Sequence, residues 1–148
     1  MRYLRLSILM TSLATIVSCS KPPSSPANTA AAIRPEIRIQ QIPAADPQKY
    51  AGMRDMKAWR NPYLIIRPDG VGLLDPADNE QRLLKPDELL DTLAALPATA
   101  WPYGRVVVVT ENSLTSSEDQ KVAIRRVKGI VAGTLESMHI LINWVPSA

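Results

Sequence analysis

The sequence predicts a small α+β domain with a mixed β-sheet, built in the order hairpin, helix, strand, helix, strand, with two helices packed on one face. Two observations predict this fold. Short apolar runs bounded by turn residues alternate with two longer segments in which aliphatic residues recur at helical spacing. The folded part, about residues 35–148, has the length of one domain and contains no internal repeat.

The predicted sheet begins with a hairpin. Tyr63–Arg67 is a compact apolar strand. Pro68-Asp69-Gly70 follows as a turn, in which proline presets φ and glycine supplies a positive φ. Val71–Leu74 is the predicted second strand, and a loop over residues 75–80 separates it from a short segment at 81–84.

The first predicted helix opens at Lys85-Pro86-Asp87-Glu88, because proline suits the first turn and two acids favour the positive end of the helix dipole. Leu89, Leu93 and Leu96, with Leu90 beside them, form its buried stripe. Pro97 is predicted to end it.

The second half of the domain is predicted as strand, helix, strand. Arg105–Thr110 is apolar on both faces, as a central strand would be. Thr115–Glu118 fits a capping box that opens a long helix. His139–Val145 is the predicted closing strand. The predicted core face of the long helix comprises Ala123, Val127, Ile130, Val131, Leu135 and Met138, and Lys121, Arg125 and Lys128 lie opposite.

Residues 35–60 allow two interpretations. Glu36–Gln40 alternates like a short strand, and Asp46-Pro47 is typical of a helix start. A helix from there would place Tyr50, Met53 and Lys57 on one face. The alternative is an irregular arm that packs on the sheet.

The N-terminus has the layout of an export signal. Arg2 and Arg5 precede an apolar run over residues 6–17, which is shorter than the roughly 20 residues of a transmembrane helix. The run ends in Ile16-Val17-Ser18-Cys19, which resembles a bacterial lipobox. The resemblance implies that residues 1–18 are a signal peptide and that Cys19, the only cysteine, becomes the fatty-acylated N-terminus. An ordinary secretory signal, or an uncleaved helix with a buried thiol, is the alternative.

Residues 19–34 are rich in proline, serine and alanine, which predicts an extended tether of about 40 to 50 Å. Ser20 follows the cysteine where an aspartate would retain a lipoprotein in the inner membrane. This resembles the default sorting of enteric-type lipoproteins, so we expect an outer-membrane lipoprotein that faces the periplasm.

The composition of the chain argues against several classes of function. The chain has 17 basic side chains, of which Arg2 and Arg5 leave with the signal, so 15 remain against 14 acidic ones and the net charge is about +1. No basic cluster supports nucleic-acid binding. Acylation of Cys19 would leave no thiol for a disulfide or a metal site.

Residues 60–148 resemble the periplasmic domain of the biopolymer-transport proteins ExbD and TolR in the order and length of their elements. Residues 86–90 stand where that family often starts its first helix, and Pro102–Val107 is similar to a string that begins the family's second helix. Here the same string leads into a predicted strand. The sequence lacks the family's transmembrane helix and membrane aspartate, so the resemblance implies a dimerising module for cell-wall or envelope partners, without proton-driven work.

No group of residues in the sequence predicts an enzyme, a cofactor or a metal site. His139 is the only histidine, and no nucleophile motif accompanies it. The acidic loop with Asp75 and Asp78 lacks the spacing and glycine of an EF-hand. Gly129 and Gly133 are spaced for close packing, which we expect to be packing of that helix on its own sheet.

The sequence also predicts a packing deficit, since two helices cover one face of a sheet whose strands are apolar on both. Either the arm before residue 60 covers the second face, which gives a monomer, or a second protein does. Trp101 and Tyr103 are loop aromatics of the kind that recognition surfaces favour, and the alternative is that they pack on the core. The predicted interaction surface comprises Trp101, Tyr103, Val107, Val109 and Leu141.

These observations predict a non-enzymatic, lipid-anchored envelope protein that acts as a partner-binding or scaffold module. Its expected partners are the membrane, through Cys19, and a protein or the cell wall, with a homodimer as a further option. The alternative is an inhibitor or immunity lipoprotein that blocks a toxin or lytic enzyme in the periplasm.

Overall fold

The computed structural model describes residues 34–53, 55–75 and 80–146, all of which belong to one compact unit. The predicted signal peptide, Cys19, nearly all of the tether and Asp78 of the acidic loop lie outside the described residues. No helix of the described part combines the length and the apolar content needed to cross a bilayer.

The described chain contains three α-helices and five strands, joined by single turns of 3₁₀ helix. In chain order they are α1 (Pro35–Gln41), β1 (Tyr63–Arg67), β2 (Gly70–Leu74), β3 (Gln81–Leu84), α2 (Leu89–Ala95), β4 (Val106–Glu111), α3 (Glu118–Ser137) and β5 (Leu141–Trp144). The 3₁₀ turns are Pro47–Lys49, Met56–Ala58, Pro86–Glu88 and Ala98–Ala100.

The strands form one mixed sheet in the order β3-β2-β1-β4-β5. β1, β2 and β3 are successively antiparallel, whereas β1 pairs with β4, and β4 with β5, in parallel. This arrangement confirms the predicted fold class and element order. β3 and β5 are the two edge strands of the sheet.

The main core lies between the sheet and its helices. Leu64 and Ile66 of β1 and Val107 and Val109 of β4 are fully buried on this face. The two predicted helices pack there, and α1 joins them against α2 through the fully buried Ile39. The strand interpretation of residues 36–40 is therefore wrong. Proline in the first turn favours a helix, and burial of Ile39 against α2 selects it.

The long helix α3 differs from its prediction in two places. Ser117, not Thr115, caps it: the Ser117 hydroxyl accepts from the Gln120 amide, and the Gln120 side chain accepts from the Ser117 amide. Its buried stripe contains three of the predicted core residues and one residue that was not predicted, Ile124. It consists of Ile124, Val127, Val131 and Leu135. The predicted core residue Ile130 is 47% exposed.

The arm covers part of the second sheet face. Trp59 packs on Val106 and Val108 of β4, and partly buried residues of the arm surround this contact. The predicted helix start at Asp46-Pro47 exists, but it gives only one 3₁₀ turn that ends at Lys49. The irregular packing arm is therefore the correct interpretation for this segment. It leaves Leu83 on β3 and Leu141 on β5 exposed.

The arm is attached to the sheet where the chain enters β4. The Arg105 amide donates to the Pro43 carbonyl at 2.8 Å, and the Asp46 amide donates to the Tyr103 carbonyl at 2.9 Å. Gly104 lies between these bonds with φ +78°, and a Cβ there would approach the Ala44 carbonyl oxygen to 2.2 Å. Glycine is required at this position both for the backbone conformation and for the close approach.

Candidate functional site

The outer edge of β5, which pairs with no other strand among the described residues, is the candidate functional site. The Leu141 amide donates to the Arg105 carbonyl and the Val145 amide donates to the Val109 carbonyl, at 2.9 and 3.0 Å. Because backbone groups alternate along a strand, the N–H and C=O groups of Ile142 and Trp144 point away from β4. β5 is the last strand of the sheet, so these four groups form an edge to which another strand can add.

The side chains of β5 leave this edge unprotected. Leu141 is 47% exposed on the face away from the helices, and Trp144 is 42% exposed on the helix-covered face. β5 contains no charged residue and no proline. The other edge strand, β3, carries Arg82 in an ion pair with Asp75 at 3.2 Å. Charge on an edge strand discourages pairing with other chains, so β5 is the more receptive of the two edges.

Helix α3 positions the tryptophan of β5. The Lys128 ammonium lies 4.5 Å from the Trp144 ring centroid and also donates to the Glu111 carboxylate at 2.5 Å. A cation over an indole face stabilises that ring position. Lys128, which the sequence placed opposite the core face of the helix, connects the end of β4 with the edge strand.

The end of α3 fixes where β5 begins. His139 has φ 55°, its amide donates to the Glu136 carbonyl, and the Ile140 amide donates to the Leu135 carbonyl. These two bonds are the Schellman pattern of a helix C-terminus. His139 is exposed and turns the chain from helix to strand, which is a structural role.

The five residues of the predicted interaction surface do not lie on one surface. Trp101 is 3% exposed, and Val107 and Val109 are fully buried beneath the helices. All three residues belong to the main core. Core packing therefore accounts for them, because a partner cannot reach side chains that the helices cover. Tyr103 is half-buried against the arm. Leu141 alone of the five lies exposed, on the β5 edge.

Tyr103 belongs to a cluster of three aromatic rings. Its ring centroid lies 5.1 Å from that of Trp59, and the Tyr50 centroid lies 5.7 Å from Trp59 in an edge-to-face arrangement. Such pairs contribute about 0.5–1.5 kcal/mol beyond their burial. The cluster holds the arm on β4, so these aromatics serve the fold.

A polar cavity of about 360 Å³ lies where the C-terminal ends of β1 and β4 meet the start of α3. It is lined by Arg67, Pro68, Asp69, Asn112, Thr115, Ser116 and Gln120. Ligands often bind at this place in parallel sheets. Here the Arg67 guanidinium hydrogen-bonds to Asp69, which lowers the pKa of that carboxyl. The Ser116 hydroxyl donates to the Asn112 carbonyl, and the Gln120 side chain accepts from the Ser117 amide, so several of the cavity's polar side chains stabilise the local turn and the helix cap.

Within the described ranges, no group of three or more histidine, cysteine, aspartate and glutamate side chains could hold a metal ion. Gly129 and Gly133 were expected to pack on their own sheet. Both are exposed, and a Cβ at either would meet nothing within 4 Å. That expectation is therefore wrong, since α3 buries its branched residues instead.

Comparison with known protein families, with curated proteins and with solved structures gives no match for this chain. The candidate site therefore rests on the geometry of β5. Sequence reasoning named Leu141 but missed Ile142 and Trp144 as edge residues. The absence of charge and proline from residues 140–145 was the signal that could have indicated an open edge.

Proposed function

We propose that this chain is a non-enzymatic, lipid-anchored envelope protein whose α+β domain binds a partner protein by accepting an extended strand of that partner along β5. The observation that carries the proposal is the neutral, unprotected β5 edge. It offers the four outward backbone groups of Ile142 and Trp144, and main-chain hydrogen bonds supply the affinity in strand addition.

The side chains of β5 define what the partner strand should contain. Leu141 presents an aliphatic contact on one sheet face, and Trp144 presents an aromatic one on the other. Cross-strand aromatic and β-branched pairs contribute about 0.2–1 kcal/mol each. A partner segment with apolar residues on both of its faces and no charge at its centre fits this edge.

The lipid anchor is supported by the lipobox-like segment that ends at Cys19. Its test is metabolic labelling with a fatty acid. We expect labelling of the wild-type chain and none of Cys19→Ala. Undiminished labelling of that variant would contradict the anchor.

The β5 edge is tested with a matched pair of variants. Leu83 and Leu141 are 52% and 47% exposed, and both lie on edge strands and on the same sheet face. Full-length protein is used to capture partners from envelope extract. We expect one partner to be lost with Leu141→Lys and retained with Leu83→Lys. Capture that survives Leu141→Lys would exclude β5 as the binding edge.

Hydrogen exchange gives a second, direct readout. On partner binding, the outward amides of Ile142 and Trp144 should exchange more slowly, because strand addition gives them acceptors. Unchanged exchange in a complex would contradict strand addition. The partner's identity then separates the two predicted functions. A structural envelope protein fits the scaffold role, and a secreted hydrolase or toxin fits the inhibitor role.

A further inference from the structure

The outer face of α1 carries two arginines around an isoleucine. Arg34, which precedes the first turn, is followed at helical spacing by Ile37, Arg38 and Gln41, and all four side chains are exposed. Ile37 is 48% exposed. Ile39 lies on the opposite side of the helix, fully buried against α2, so the position of Ile37 in solvent is fixed by the fold.

The arginines of this face are free to bind an anion. Among the described residues, neither Arg34 nor Arg38 takes part in an ion pair. The acid of the same helix, Glu36, lies on another side, because successive residues turn by about 100° around a helix axis. The stripe therefore presents two uncompensated positive charges flanking one aliphatic side chain.

A cleft of about 280 Å³ opens beside the stripe, between α1 and the end of α2. Arg38 and Gln41 lie on its α1 side. Its remaining lining is apolar and comprises Ile42, Pro43, Ala94, Ala95, Leu96 and Ala98. One arginine beside a mostly apolar cleft matches a phosphate group joined to glycerol and the start of an acyl chain.

The position of α1 along the chain favours a membrane as the source of that chemistry. Arg34 is 15 residues after Cys19, so an extended tether would hold α1 within about 50 Å of the lipid anchor. Tethering raises the effective concentration of the membrane surface near α1 to about the millimolar range. A weak, small surface is sufficient under these conditions.

We propose that the outer face of α1 contacts the membrane that carries the anchor. Arg34 and Arg38 bind phosphates of anionic phospholipids, and Ile37 enters the boundary between headgroups and acyl chains, as the apolar side chains of interfacial helices do. The inference rests on the lipid anchor of the proposed function. It adds that the domain docks on the bilayer through α1, which leaves β5 for the partner.

The test uses the full acylated protein in vesicles. A nitroxide is attached to Ile37→Cys, which is the single reactive thiol if Cys19 carries lipid. We expect the label to be protected from an aqueous paramagnetic reagent in vesicles with phosphatidylglycerol and to stay accessible in phosphatidylcholine alone. Leu114→Cys is the matched control, since Leu114 is 70% exposed in the loop after β4, and its label should stay accessible in both.

Charge variants provide a second test of the membrane contact. Each cation near an anionic surface contributes about fivefold, so Arg34→Gln with Arg38→Gln should lower the ratio of docked to undocked protein about 25-fold. Arg125→Gln with Arg126→Gln removes the same charge from the exposed face of α3 and should leave the ratio within about twofold. Equal loss in both pairs would overturn the assignment to α1.

The two proposals fail in different ways. If the anchor is absent, Cys19 reacts as a second thiol and no fatty acid is found, which contradicts the proposed function. If the protein is acylated but the label at position 37 stays in water with anionic vesicles, the membrane face of α1 is wrong and the anchor stands.

Discussion

The side-chain oxygen of Asn61 accepts a hydrogen bond from the backbone amide of Tyr103, 2.9 Å away. The amide nitrogen of the same side chain donates to the carbonyl oxygens of Gly104 and Val106, each at 2.7 Å. Asn61 is fully buried. One side chain just before β1 therefore connects three backbone groups at the entry to β4, and the burial cost of its amide is offset by these bonds.

Replacement of Asn61 should be strongly destabilising. Asn61→Ala removes three buried hydrogen bonds, so we expect the free energy of unfolding to fall by about 3 kcal/mol. Urea denaturation at neutral pH measures it. A loss below about 1 kcal/mol would show that water replaces the side chain at this site.

The isosteric change Asn61→Asp separates shape from hydrogen bonding. It keeps an acceptor for the Tyr103 amide but sets a carboxylate oxygen against two carbonyl oxygens. We expect the free energy of unfolding of the variant to be lower than that of wild type at pH 7. The difference in free energy of unfolding should shrink as the pH falls, because the new carboxyl takes up a proton that it can donate. A difference in free energy of unfolding that is constant with pH would contradict this account.

Two glycines should respond oppositely to alanine. Gly104→Ala forces a Cβ to within 2.2 Å of the Ala44 carbonyl oxygen at φ +78°, so we expect a loss of more than about 2 kcal/mol. Gly129→Ala meets nothing within 4 Å on the exposed face of α3 and should gain about 0.5–1 kcal/mol. Thermal and urea unfolding of both variants measures the contrast, and a neutral Gly104→Ala would show that the arm is not held tightly there.

His139 occupies a conformation that favours glycine. With φ 55° at the end of α3, it carries a left-handed backbone cost of roughly 1 kcal/mol. His139→Gly should therefore raise the free energy of unfolding by up to about 1 kcal/mol. His139→Ala keeps the cost and serves as the control. Equal stability of the two variants would mean that the backbone is not strained.

The turn between β1 and β2 should show a pKa effect. The hydrogen bond from Arg67 lowers the pKa of the Asp69 carboxyl. A lowered pKa means that the pair stabilises the fold above the unfolded pKa and loses this contribution as the pH falls through the folded pKa. Arg67→Gln should raise the pKa of Asp69 toward the ordinary aspartate value. Carboxyl NMR titration measures it, and Glu118, whose pKa is lowered by Lys121, is the internal control.

The strands could be predicted closely because their boundaries depend on local chemistry. The Pro68-Asp69-Gly70 turn closes the β1–β2 hairpin where the sequence placed it. The secondary structure at the start of the domain could not be predicted, because the alternation of Glu36–Gln40 is compatible with a strand. Only the contact of Ile39 with α2 selects the helix, and that contact joins residues far apart in the sequence.

Exposure was the least predictable property of the candidate site. Val107 and Leu141 are both apolar strand residues, yet one is fully buried and the other is 47% exposed. The difference follows from strand order, since β4 is central and β5 is an edge. Strand order depends on parallel crossovers, which residue patterns within single segments do not encode.

The attachment of the arm beside Gly104 has a mechanical consequence. A pull on the chain at Arg34 would load α1 and then the two backbone bonds that join Pro43 and Asp46 to the segment before β4. These bonds and the aromatic cluster behind them lie between the pulled end and the first strand of the sheet. Tension applied at Arg34 would therefore detach α1 and break these contacts before it reached β1.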